Sequence, residues 1–137
     1  MKGKKLALLL SVLALIFFGT PCSFADACSN ISTRKLKDTT ILNADMVTAG
    51  AVPSLPGLSP DIARQLPAFC RVALKAAPST DSDIEIEVWM PVSGWNGKFL
   101  GRGNGGYAGI ISYQEMAMGV IGGGGRQYAR AALDYRR

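Results

Sequence analysis

Five glycines fall within the twelve residues Lys98 to Gly109, "KFLGRGNGGYAG", directly behind a short apolar run. Glycine loses more conformational freedom on folding than any other residue, so a cluster of them marks backbone that must take a special shape. Two chemistries use such a shape. Gly101, Gly103 and Gly106 fit G-x-G-x-x-G, the spacing that cradles a dinucleotide pyrophosphate. Alternatively, amides with no side chains in the way line an oxyanion hole, holding the charge that forms when a carbonyl is attacked. A plain surface loop is the third possibility.

The dinucleotide fits poorly. The strand before the glycines is expected to emerge from an antiparallel hairpin, and no acid sits about 20 residues on to hold a ribose. The chain also opens with an export signal, which would take it away from cytoplasmic cofactors. A second absence narrows the chemistry further: there is no histidine in the 137 residues. That removes the usual general base for a serine or cysteine nucleophile and the commonest zinc ligand. A G-x-S-x-G nucleophile elbow is missing too. No catalytic residue, cofactor ligand or metal ligand is therefore assigned to this chain. Glu85 and Glu87 could be offered as a carboxylate pair, but alternate acids on one strand ordinarily form a solvated face. Trp89 and Trp95 could line an aromatic pocket; sheet packing is the expectation for both.

The export signal is the opening "MKGKKLALLLSVLALIFFG" and the "TPCSFADA" that follows it. Three lysines, an apolar stretch from Leu6 to Phe18 and the small residues Ser23 and Ala25 give the order of a secretory signal peptide. A membrane anchor is the alternative, but a spanning helix needs roughly 20 apolar residues. Cleavage is expected after Ala25, with a cut after Ala27 as second choice, and the location as secreted or periplasmic. Removing Lys2, Lys4 and Lys5 from a formal net charge of +5 leaves a weakly basic chain, so no nucleic-acid partner is expected. No membrane partner is expected after cleavage either. Cys28 and Cys70 remain, and two cysteines in an exported chain read as one disulfide.

Elements must position the glycines. "TTILNADMV" is expected to form a short strand, and Ser59-Pro60-Asp61 to open a short helix: a capping hydroxyl, a proline and an acid in the first turn. In "FCRVALKA", Cys70, Val72 and Leu74 alternate with Arg71 and Lys75. "DIEIEVWMP" is the clearest strand, with Ile84, Ile86, Val88 and Met90 on one face and Asp83, Glu85, Glu87 and Trp89 on the other. Asn96-Gly97 predicts a tight hairpin turn into a third strand, "KFLG". Ser112 and Glu115 have capping-box spacing ahead of a helix, "YQEMAMGVI". The remaining "GGGGRQYARAALDYRR" reads as a basic, weakly helical tail.

From Leu66 to Val120 the chain resembles the N-terminal part of the tannase and feruloyl esterase family. The resemblance is carried by "FCRV", "DSDIEIEVWMP", "WNGKFLGRGNGGYAG" and the Tyr113-to-Met116 segment, with a further likeness over "CSNISTRKLKDTTILNADMVTAG". It implies a secreted α/β-hydrolase that cleaves esters of aromatic acids such as galloyl or feruloyl esters. It implies that Cys28 and Cys70 match the cysteines of an N-terminal disulfide, and that Gly103, Asn104, Gly105 and Gly106 match the loop that supplies an oxyanion amide. The family's nucleophile motif, Cys-Ser-x-Gly-Gly, and its later Asp and His-Cys have no counterpart here. Calcium, where the family holds it, belongs to a lid region that this chain lacks.

The expected fold class is thus α/β: the N-terminal edge portion of an α/β-hydrolase, incomplete, with a β-hairpin, a third strand, an oxyanion loop and a helix. The expected organisation is a signal peptide over 1–25, the hydrolase part over 26–120 and a divergent Gly/Arg-rich tail over 121–137. In the full-length enzyme the partner would be a small aromatic ester. The alternative is a small exported binding or structural protein without enzymatic activity.

Overall fold

The computed structural model describes residues 24–103, 109–122 and 127–136. The expected signal peptide lies outside them as far as Ser23, and so do Asn104, Gly105 and Gly106 of the glycine loop. Helix α1 (Phe24–Ser29) runs into a 3-10 turn (Asn30–Thr33), followed by strand β1 (Thr39–Val47) and the short helix α2 (Pro60–Ala63). Strands β2 (Phe69–Ala76), β3 (Asp83–Pro91) and β4 (Trp95–Gly103) come next, then helix α3 (Tyr113–Ile121) and strand β5 (Gln127–Arg136). One sheet holds all five strands in the order β1-β2-β3-β5-β4. This is a partial α/β sheet, as expected.

Sequence pattern accounts for much of it. Strands β2 and β3 occupy the two runs read as strands and pair antiparallel, from Phe69 opposite Pro91 to Ala76 opposite Ile84. Ser59 caps α2 as its type predicts, its hydroxyl accepting from the Asp61 amide at 3.3 Å with Pro60 in the first turn. A second bond ties this corner to α3: the Ser59 amide donates to Gln114 Oε1 at 3.1 Å.

Three expectations are corrected. Asn96-Gly97 does not turn a hairpin between β3 and β4; both residues lie inside β4, and the two strands are not neighbours. Asn96 Oδ1 instead accepts from the Lys98 amide at 2.9 Å while Gly97 takes φ +77°, a local kink that coincides with the register shift between Trp95 and Phe99. The final segment is not weakly helical. It is β5, antiparallel to β3 and parallel to β4, filling the gap between them. The ladders available on both sides outweigh the modest helix preference of an alanine-containing run, since propensity is a weak prior against tertiary pairing. Finally, Ser112 precedes α3 but makes no side-chain cap bond, and Glu115 reaches Arg102 instead, with Nε 2.6 Å from Oε2.

Each face of the sheet carries an apolar cluster around β2 and β3. On one, Cys28, Cys70, Val72 and Leu74 form a cluster extended by Ile31, Ile41, Met46, Ile86, Val88 and Met90. The Cys28–Cys70 disulfide fastens α1 to β2 there, with Cα atoms 5.7 Å apart. On the other, Val47, Leu66, Phe69 and Trp89 meet Met116, Ala117 and Val120 of α3. The Phe69 and Trp89 rings stack at 4.6 Å between centroids, an arrangement that adds about 0.5–1.5 kcal/mol beyond area burial. At the far end β4 stays bare, with Phe99 60% and Trp95 56% exposed. Ile84, Ile86 and Val88 remain partly exposed as well. Among the described residues no strand pairs with the outer edge of β4.

Candidate functional site

The glycine segment joins β4 to α3, and α3 returns the chain to β5, the parallel neighbour of β4. The segment therefore leaves the end of a strand and leads into a helix, as does the strand–helix loop that gives an α/β-hydrolase one of its oxyanion amides. Gly103 is the last residue of β4 and is exposed, with open space where a Cβ would stand. Asn104, Gly105 and Gly106, expected to share its role, lie outside the described residues. The two ends of the segment are held together by the Arg102–Glu115 ion pair, one partner on β4 and the other in the first turn of α3.

Beneath the start of α3 lies a charged cluster that the strand pattern did not predict. Glu87, expected on a solvated face, is 4% exposed, and Trp89 on the same face is 0% exposed. The physical reason is α3, which crosses this face on its way from β4 to β5 and shields Glu87 and Trp89 from water. Trp89 fulfils the packing expectation; Trp95 does not, its indole lying exposed and donating to the Lys98 carbonyl at 2.8 Å.

Burying a carboxylate is costly unless it is paired and hydrogen-bonded. Glu87 meets that condition fully. Arg71 Nε donates to Oε2 at 2.8 Å and its Nη2 donates to Oε1, a two-pronged pair. Trp89 Nε1 adds a bond to Oε2 at 2.8 Å, and the Tyr113 hydroxyl one to Oε1 at 3.2 Å. The Arg71 guanidinium also lies 6.0 Å from the centre of the Tyr113 ring. The bonds to Glu87 hold the Arg71 guanidinium above its ordinary range. Burial, and then the charge of Glu87, push the Tyr113 phenol upward, so it remains a donor at neutral pH.

With each oxygen taking two donors, Glu87 has no lone pair left for a substrate proton, and it forms no catalytic pair with Glu85. One signal for this burial was present in the sequence. Trp89 shares the period-2 face of Glu87, and a tryptophan there argues for cover on that side. Arg71 and Tyr113 gave no comparable sign. Among the described residues no three Cys, Asp or Glu side chains cluster in a way that could hold a metal ion.

No family model matches the chain. It is 38% identical over 115 residues to an uncharacterized esterase of Xanthomonas campestris pv. campestris, covering 84% of this chain and 19% of that protein. It is 32% identical over 124 residues to feruloyl esterase C of Talaromyces stipitatus, covering 80% of this chain and 23% of the relative. The crystal structure of feruloyl esterase B from Aspergillus oryzae superimposes with a TM-score of 0.62 at 29% identity, over 82% of this chain and 22% of that one. The chain thus spans about a fifth of the length of the relatives it matches. A partial sheet shared with these esterases and a sequence likeness along most of its length show that the chain belongs to the tannase and feruloyl esterase family.

Proposed function

We propose that this chain is the N-terminal, oxyanion-loop-bearing part of a secreted carboxylic-ester hydrolase that acts on galloyl- or feruloyl-type esters. The observation that carries this reading is the connected unit β4, glycine segment, α3 and β5, on a sheet shared with feruloyl esterase B. In it, amides at Gly103, Asn104, Gly105 or Gly106 would stabilise the tetrahedral oxyanion. The nucleophile and its base would come from residues that this chain does not carry, because it has neither the Cys-Ser-x-Gly-Gly motif nor a histidine. Removing one such amide donor costs on the order of 2.7–4 kcal/mol in the barrier. The disulfide fits an oxidising compartment, in keeping with an exported enzyme.

The test uses residues 26–137 as a purified chain, and the same residues replacing the matching segment of Aspergillus oryzae feruloyl esterase B. Methyl ferulate and methyl gallate are the substrates. The chain alone should show no hydrolysis above the uncatalysed rate, and the chimera should turn over. Turnover by the chain alone, or a folded chimera without activity, would overturn the proposal.

A further inference from the structure

The Glu87 cluster is a buried charged group for which an oxyanion role of the glycine segment has no direct use. Its oxygens are saturated by Arg71, Trp89 and Tyr113, so it is neither a base nor a ligand. What it joins is more informative. Arg71 lies on β2, and Glu87 and Trp89 on β3, whereas Tyr113 is the first residue of α3, four positions beyond Gly109. The Tyr113 bond spans 26 residues of sequence and ends on a carboxylate that is itself held by a two-pronged guanidinium. The Tyr113 ring also faces Trp89 at 6.1 Å between centroids. The chain that leaves the glycine segment is therefore pinned to the middle of the sheet at its first helical residue. Its other end is tied to the same helix turn through Arg102 and Glu115.

We infer that Glu87, acting through Tyr113, is a positioning residue that fixes the downstream anchor of the glycine segment. This rests on the oxyanion role proposed above and names the residues that would preorganise it. Donors aimed at a developing charge are effective only when held in place before the reaction. A displacement of about 1 Å from a residue outside the chemistry can cost on the order of 10²-fold in rate.

The first arm of the test uses the full chain and hydrogen–deuterium exchange. Tyr113→Phe should speed exchange in the peptide covering 101–112 at least tenfold while the β2 peptide, 69–76, stays within twofold of wild type. Glu87→Gln should do the same; if that variant does not fold, Tyr113→Phe decides alone. A rise shared equally by both peptides, or no rise, would overturn the inference, because either means that the bond contributes only to general stability. The second arm places Tyr113→Phe in the feruloyl esterase chimera. There kcat on methyl ferulate should fall about tenfold with KM within twofold, and an unchanged kcat would overturn the inference. An inactive parent chimera would defeat the oxyanion role but leave the exchange result to judge the anchor.

Discussion

Arg71 and Glu87 meet as a two-pronged pair across β2 and β3, with Nε 2.8 Å from Oε2 and Nη2 bonded to Oε1. They are not directly opposite: Arg71 faces Trp89 and Glu87 faces Ala73 in the ladder, so the pair runs diagonally beneath Tyr113.

Breaking that pair should cost more than replacing it. Glu87→Ala strands a guanidinium whose side chain is only 18% exposed, and losing one partner of a buried pair typically costs about 3–5 kcal/mol. The double variant Arg71→Met, Glu87→Leu should lose markedly less, because no lone charge remains. Urea unfolding of the two variants beside wild type checks the order. A single variant as stable as the double one would show that the pair is effectively solvated.

The Tyr113 phenol gives a pH prediction with a definite sign. Burial and the negative charge of Glu87 raise its ionisation above the ordinary value of 10.0. A group raised on folding stabilises the fold while it remains protonated, and that contribution disappears as pH climbs through the raised value. Absorbance titration near 295 nm should therefore show one of the four tyrosines ionising later than free tyrosine. Tyr113→Phe should remove that late step, and urea stability above pH 10 should decline less steeply in the variant.

The disulfide closes a loop with a sequence separation of 42. In the chain-entropy model a loop of that length is worth about 4 kcal/mol. Cys28→Ala with Cys70→Ala should lower urea stability by roughly that amount, and reducing agent should act similarly on wild type. A loss below about 1 kcal/mol would mean that packing of α1 alone holds it to β2.

Two glycines of β4 should respond differently to alanine. Gly97 has φ +77° with open space around a new Cβ, so its cost is backbone strain alone, roughly 1–2 kcal/mol. Gly103 has no positive φ and equally open surroundings. Gly103→Ala should therefore stay within about 0.5 kcal/mol of wild type. Thermal unfolding of the two variants compares them directly.

By itself the sequence determined the local pieces. Alternation marked β2 and β3, Ser59-Pro60-Asp61 marked the start of α2, and two cysteines outside the expected signal peptide pointed to one disulfide. Each of these depends on contacts between near neighbours in the chain or on a simple count. Tertiary structure decided the rest. A period of two says which residues share a face of β3, but not which face is covered; α3 covers the side of Glu87 and Trp89, and so turns an expected solvated face into a buried charged cluster. The partner of a strand is likewise non-local. Asn96-Gly97 would close a hairpin if β3 and β4 were neighbours, yet β5 takes that place and the same dipeptide becomes a kink. Helical character in residues 127–136 was a weak local preference, and two ladders outweighed it.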